Sequence, residues 1–246
     1  MASSSRDKTV NIWNPQTWSS IRQYTGHQDV VYGLDQIDID TIVSGSQDGT
    51  IQVWKISTGE TLLNISLLST VYTVRVLTNG FQIVAGGYLE NEFISNLRIF
   101  NLKANDSVLN LIGHTSYVSS LEILNERFMA SGDSDSKIII WDLYAYLVKY
   151  NLTEHTGGVN CIKRISSNLI ASADSNGLII IWDWLKGKRI YLLTGHTGQL
   201  NLSSLDFYMD QISGCMDKTI KFWNILNGQI IQSINGETQI TALAKL

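Results

Sequence analysis

Six aromatic residues divide the chain at near-equal intervals. Trp13 to Trp54, Phe100 to Trp141, Trp141 to Trp182 and Trp182 to Trp223 are identical steps, each of about 41 residues, the length of a propeller-type repeat. Only the step from Trp54 to Phe100 is longer. Histidines keep a second register: the interval from His27 to Trp54 recurs from His114 to Trp141, His155 to Trp182 and His196 to Trp223. The interval from Trp13 to His27 likewise recurs from Trp141 to His155 and from Trp182 to His196, and carried on from Trp223 it reaches Glu237. Two residue types holding one spacing from end to end require an internal repeat. Each unit is then one supersecondary element that buries its apolar face only against its neighbours.

The second unit shows what that element is. Val30 to Ile37, Thr41 to Ser46, Thr50 to Lys55 and Thr61 to Leu67 are short runs rich in β-branched residues. Gln47-Asp48-Gly49 and Ser57-Thr58-Gly59-Glu60 supply turn residues between them, which is hairpin chemistry. Four strands in a unit of this length make one blade of a β-propeller. No window sustains a helical periodicity, so helices are expected to be nearly absent. The 246 residues, 44% of them hydrophobic, suffice for a single domain spanning 1–246. Its repeats are expected near residues 2–25, 26–67, 68–112, 113–153, 154–194 and 195–236, the first completed by 237–246.

Charge and cysteine content narrow the function classes. The net charge is −4 and no run of Lys or Arg stands out, so there is no basic stripe to displace counterions from nucleic acid or an anionic membrane. No apolar segment approaches the ~20 residues of a membrane-spanning helix. The start, Met1 to Val10, holds no apolar secretory core. Cys161 and Cys215 lie in apolar strand-like runs, which fits a reducing compartment better than a disulfide framework. A soluble intracellular protein, cytoplasmic by expectation, follows.

Gly26-His27, then Ser44-Gly45-Ser46-Gln47-Asp48-Gly49, then Trp54 together resemble a WD repeat of the Gβ-like β-propeller family. So do Gly113-His114 with Ser131-Gly132-Asp133-Ser134-Asp135 and Trp141-Asp142. Glu154-His155 with Ser172 and Trp182-Asp183, and Gly195-His196 with Ser213, Asp217 and Trp223-Asn224, complete the clear set. The resemblance covers essentially the whole chain. It implies an all-β, six-bladed WD-repeat β-propeller, each blade a four-stranded antiparallel sheet, with a composite blade closing the ring from both termini. It also implies hydrogen-bonded structural tetrads: His27, Ser44 (or Ser46, on the same strand face), Asp48 and Trp54; His114, Ser131, Asp135 and Trp141; His155, Ser172 and Trp182; His196, Ser213, Asp217 and Trp223.

Three units depart from the pattern. Asn176 stands where the tetrad Asp is expected, which should weaken the acceptor for His155. The first unit has Ser3, Asp7 and Trp13, but Glu237 at its His position. The Phe100 unit has no His, and an insertion at Tyr88 to Asn96 makes it the blade expected to be least stable and most specialised. Residues 2–25 supply three strands, and Thr238 to Leu246 reads as the missing first one. Pairing the two ends removes exposed strand edges. A piece cut from a longer array, or a ring completed by a partner, is the alternative.

The four His occupy one place in different blades, so they do not converge on a metal, and no cofactor is expected. Asp133 with Asp135, and Glu90 with Glu92, are read as turn and solvated loop acids rather than a catalytic pair. No phosphate-cradling loop or nucleophile elbow occurs, so the protein is expected not to be an enzyme. In this family the hairpin face commonly engages peptides. Transferred by position, the contact residues are Val30, Tyr32, Gln47, Thr70, Tyr72, Tyr117, Ser119, Ser134, Gly158, Asn160, Ser175, Gln199, Asn201 and Met216, with Arg6, Gln239 and Thr241 completing the face. Such a set suits protein or peptide partners. No Trp-Asp-x-Arg box occurs, so the ubiquitin-ligase adaptor reading loses support. The expected function is a non-enzymatic protein-interaction scaffold. The alternative is a sensor or ligand-binding part of a larger multidomain signalling protein.

Overall fold

The computed structural model describes residues 1–67, 69–88, 97–103, 106–198, 200, 205–208, 211–215 and 217–238, with 106–108, 205–208 and 211–215 as backbone alone. These residues form strands and turns, with no helix among them. Two compact units divide the chain at Val118 and Ser119.

The first unit holds β1 (Ala2–Ser4), β2 (Val10–Trp13) and β3 (Ser20–Tyr24) as a three-stranded sheet. A four-stranded sheet follows, of β4 (Val31–Asp38), β5 (Thr41–Ser46), β6 (Thr50–Lys55) and β7 (Thr61–Ser66), and then another of β8 (Val71–Val76), β9 (Gln82–Gly87), β10 (Leu97–Asn101) and β11 (Asp106–Asn110). Each strand pairs antiparallel with the next, Leu34 opposite Ser44 and Ile42 opposite Trp54.

The second unit repeats the plan. Its sheets are β12 (Val118–Ile123), β13 (Phe128–Asp133), β14 (Ile138–Asp142) and β15 (Leu147–Leu152); β16 (Val159–Arg164), β17 (Leu169–Asp174), β18 (Ile179–Asp183) and β19 (Lys188–Leu193); and β20 (Leu205–Tyr208), β21 (Gln211–Cys215), β22 (Thr219–Asn224) and β23 (Gln229–Asn235). The boundary between the units falls at the start of β12. The strand proposed to complete the first sheet, and the insertion loop from residue 89 to 96, lie outside the described residues.

Middle strands are buried on both faces: all six residues of β5 are buried, as are Ile138 to Trp141 of β14 and the whole of β18. A sheet covered on both sides reads as a continuous apolar run, as Ile179-Ile180-Ile181-Trp182 does. Fourth strands are solvated, and all seven residues of β23 are exposed. Clusters such as Val43, Ile51, Val71, Val74, Ile83 and Phe100 fuse neighbouring sheets.

Polar clasps join successive sheets at nearly the interval of the aromatic markers. The Val76 N–H donates to Asp35 (2.8 Å), and in the second unit the N–H groups of Ile162 and Arg164 donate to Ser120 (2.9 Å) and Glu122 (3.0 Å). The last strand of a sheet is tied to a turn of the next sheet. Arg22 donates to the carbonyls of Ser57 and Thr58, Tyr150 to Leu185, and Tyr191 to Leu226. Each of those turns places a Gly at positive φ, Gly59 (76°), Gly187 (64°) and Gly228 (73°), directly under the clasping side chain. A Cβ at Gly187 would lie 2.7 Å from the Tyr150 ring. In the same register Trp18 (φ 56°) and Tyr146 (φ 57°) replace glycine, a conformation that is an outlier for bulky residues.

Candidate protein-binding site

The histidine networks fasten the strand ends on which the candidate contact residues stand. In the sheet of Trp182 the chain of donors is complete. The indole N–H of Trp182 donates to Ser172 Oγ (2.7 Å), Ser172 pairs with His155 Nε2 (2.6 Å), and His155 Nδ1 with Asp174 (3.1 Å). With Asp174 ionised, the His proton sits on Nδ1, and the Ser hydroxyl donates to Nε2.

Asp174 corrects the expectation that Asn176 leaves His155 with a weak acceptor. Alternate strand residues share a face, so the carboxylate two positions earlier reaches the same ring. Asp133 stands in the equivalent place in the sheet of Trp141 and is fully buried, whereas Asp135 is exposed. Asp133 accepts from the N–H groups of Asp135 (3.0 Å) and Lys137 (2.9 Å). Asp133 is therefore a structural carboxylate of that hairpin. Trp141 donates to Ser131 (2.7 Å), and His114 is buried.

In the sheet of Trp54, His27 pairs with Asp48 (2.9 Å) and Ser44 (2.8 Å). The Trp54 indole N–H makes no hydrogen bond; its ring stacks on Tyr24 instead, centroids 4.4 Å apart and nearly parallel. The Tyr24 hydroxyl donates to Gln52 (2.6 Å), a contact between neighbouring repeats that the spacing within each repeat does not reveal. In the last sheet His196 pairs with Asp217 (3.2 Å), and Trp223 is buried. The Ser213 side chain lies outside the described residues. In the first sheet Trp13 donates to Ser3 (2.8 Å).

Burial opposes ionisation of the three His-paired carboxylates, but hydrogen bonds outweigh it. Asp48 is lowered by Thr50, the Gln28 N–H and His27; Asp174 by His155 and the Leu178 N–H; Asp217 by Thr219, the Thr197 N–H and His196. Burial holds the His27 imidazole below its ordinary value despite Asp48. These groups are spent on structure, and among the described residues no three His, Cys, Asp or Glu gather to hold a metal.

Of the candidate contact residues, the structure gathers three tyrosines. Tyr72 lies between Tyr32 (centroids 5.2 Å) and Tyr117 (5.0 Å), the rings tilted by 41° and 37°. These are offset aromatic contacts at favourable range. All three stand at the leading ends of β4, β8 and β12. The Tyr32 hydroxyl donates to Gln47 (3.1 Å), which is exposed on the β5–β6 hairpin. Burial raises the Tyr72 phenol, and the neighbouring Tyr32 and Tyr117 raise it further, so Tyr72 is neutral at physiological pH. Val30 and Thr70 are half-buried beside the row in sequence, and the Thr70 carbonyl accepts the Tyr88 N–H (3.1 Å).

The second unit treats the transferred positions differently. Ser119 is buried and donates to the carbonyls of Gly132 (3.3 Å) and Val159, so it is a clasp between sheets and offers no contact surface. Asn160 is half-buried and donates to the Leu200 carbonyl (2.6 Å). Ser134 and Ser175 are half-buried in hairpin turns and Gly158 is half-buried just before β16, and the Ser175 N–H donates to the Gly158 carbonyl (2.9 Å). Gln199, Asn201 and Met216, like Gln239 and Thr241, lie outside the described residues.

The chain matches the WD domain, G-beta repeat, over residues 18–55, 105–142, 147–183 and 187–224, more than half its length. It belongs to the WD-repeat family. Among curated proteins it is similar to Protein SPA1-RELATED 3 of Arabidopsis thaliana, 27% identical over 58% of this chain and 17% of that protein. The E3 ubiquitin-protein ligase COP1 of Pisum sativum is 26% identical over 58% of this chain and 21% of its own length. Jouberin of Mus musculus is 31% identical over 50% of this chain and 12% of its own length. The match therefore spans about a fifth of these relatives or less. Among solved structures, the computationally designed Ika8 protein superimposes over 100% of this chain and 74% of its own, with TM-score 0.82 and 25% identity.

Proposed function

We propose that the protein is a non-enzymatic scaffold that receives a peptide segment of a partner protein across the row Tyr32, Tyr72 and Tyr117. The observation that carries this reading is the row itself: three aromatic side chains from three successive repeats in contact at the strand ends. Tyr offers large, rigid contact area with a polar tip, the type enriched at interface hot spots. Val30, Gln47 and Thr70 flank it as polar or small contacts. The test is the double variant Tyr32→Ala with Tyr117→Ala, compared with wild type by affinity capture and mass spectrometry. Loss of specific partners with an unchanged melt supports the reading; equal recovery by both proteins rejects it.

In this reading the sheets are blades of a six-bladed ring, the first completed by residues 237–246. A crystal structure with Leu243 far from Ile12 would reject that closure. A second reading, a sensor part of a larger signalling protein, is favoured by the small share of each relative that the match covers. No helix among the described residues is long and apolar enough to cross a membrane, and the proposed setting is the cytoplasm.

A further inference from the structure

In the second unit, the turns after β14 and β18 hold large apolar side chains in solvent at one repeat position. Tyr144 and Leu185 stand at the same distance from Trp141 and Trp182, and they are 67% and 46% exposed. Each of these two sheets is followed by another in the same unit, so no missing neighbour accounts for the exposure. Nor does the turn require an apolar residue there, since Gln16 and Ser57 hold that position in the first unit. Tyr146, also exposed, keeps a left-handed backbone where the β18–β19 turn has Gly187, and such outliers concentrate at functional sites.

Contacts between side chains make the two turns one strip. Arg127 lies over the rings of Tyr144 (5.7 Å to the centroid) and Phe128 (5.3 Å). Lys149 lies over Phe128 (4.0 Å) and Trp184 (5.7 Å). Tyr150 donates to the carbonyl of Leu185 (3.1 Å).

The ion pairs of this strip all point one way. Arg127 donates to Asp142 through Nε (2.9 Å) and Nη2 (2.6 Å), and Lys186 pairs with Asp183 (3.0 Å). In each pair the cation stands outward: the Arg127 side chain is 53% exposed against 14% for Asp142, and Lys186 74% against 5% for Asp183. The Arg127 hydrogen bonds hold the Asp142 carboxyl down to about 2, so that anion is permanent. Lys149 makes no ion pair among the described residues, and Lys188, opposite Asp183 in the β18–β19 pairing, is exposed. The exposed acid next to them is Glu126, on the β12–β13 turn. On a chain of net charge −4, an apolar strip is thus fronted by positive charge.

We propose that this strip is a second docking site, taking an acidic segment of a partner protein in which a large apolar side chain is flanked by Asp or Glu. The apolar side chain packs along Tyr144 and Leu185, and the carboxylates face Arg127, Lys149 and Lys186. None of these residues belongs to the tyrosine row, so each surface can fail without the other.

The test is to pan a random peptide library on the full chain and measure the selected peptides by fluorescence anisotropy. Enrichment of sequences that join an apolar side chain to Asp or Glu is expected. Their affinity should drop about tenfold or more in a Tyr144→Ser, Leu185→Ser double variant, the loss typical of a hot-spot contact. It should drop several-fold in Lys186→Gln and weaken with added salt, with the melting of both variants unchanged because the side chains replaced are exposed. Tyr32→Ala should leave it unchanged. No enrichment, peptides without acidic–apolar pairs, or equal binding by all variants would each overturn the proposal. So would a concentration-dependent dimer abolished by the same substitutions, or binding of phosphatidylserine vesicles with no peptide selected, which would assign the strip to a second copy of the chain or to a lipid surface.

Discussion

Replacing Asp174 by Ala removes one carboxylate from the centre of a buried hairpin. Its two oxygens accept from His155 Nδ1 (3.1 Å) and from the N–H groups of Thr156 (3.2 Å), Gly157 (3.2 Å), Asn176 (2.9 Å) and Leu178 (2.9 Å). The side chains of Asp174 and His155 are fully buried, so water replaces few of these bonds without rearrangement. A buried donor left without a partner costs about 1–3 kcal/mol, and the contributions within one network overlap. Five donors lose their acceptor together, and with that overlap a total of about 3–5 kcal/mol is expected here. For a chain of this size it corresponds to a fall of roughly 6–20 °C in melting temperature. Asn176→Ala is the control. Asn176 is exposed and its side chain donates to Thr156 (3.2 Å), so its loss should stay within about 0.5 kcal/mol. Thermal and urea unfolding of both variants decide the matter. Equal losses, or a loss below about 1 kcal/mol for Asp174→Ala, would refute the assignment of the acceptor.

Trp182→Phe and Trp54→Phe remove the same ring volume, but only Trp182 donates to a serine. Trp182→Phe should cost about 1 kcal/mol more in urea unfolding; equal costs would contradict the donor chain. Trp18→Gly relieves about 1–2 kcal/mol of left-handed strain against about 0.5–1 kcal/mol of added chain entropy. The melting temperature should therefore hold or rise slightly, whereas Gly187→Ala, which drives a Cβ into Tyr150, should lower it. The reverse order would show that Trp18 is structural. For pH, His27 is depressed in the fold below its ordinary 6.5 by burial. The unfolded chain then takes up the proton first, so this stability is complete above about pH 6.5 and is lost as pH falls. Wild-type melting should drop more than that of His27→Gln between about pH 7.5 and 5.5; parallel curves would contradict it.

The repeat was legible because a spacing survives any detail of packing. The aromatic interval alone places β5–β6, β13–β14 and β17–β18 as matching hairpins. What failed was the transfer of roles by counting. Residue 176 is the counted place for the acceptor, but the physical requirement is a carboxylate on the face that meets His155, and Asp174 satisfies it equally. Ser119 has the count of a surface contact, yet a small hydroxyl there reaches the Val159 carbonyl and is buried. Tyr32, at the corresponding count, is too large to be covered and joins the aromatic row. The Gly59, Gly187 and Gly228 series was invisible for another reason. Its meaning lies in a backbone angle and in a side chain from the preceding sheet, neither of which a single residue type announces.

Amide hydrogen exchange of the full chain, alone and saturated with a partner recovered by affinity capture, tests the binding face most directly. Protection is expected at the leading ends of β4, β8 and β12 and at the Gln47 hairpin, with the Tyr32, Tyr117 double variant showing none. Protection confined to other strands, or retained by that variant, would contradict the assignment of the tyrosine row.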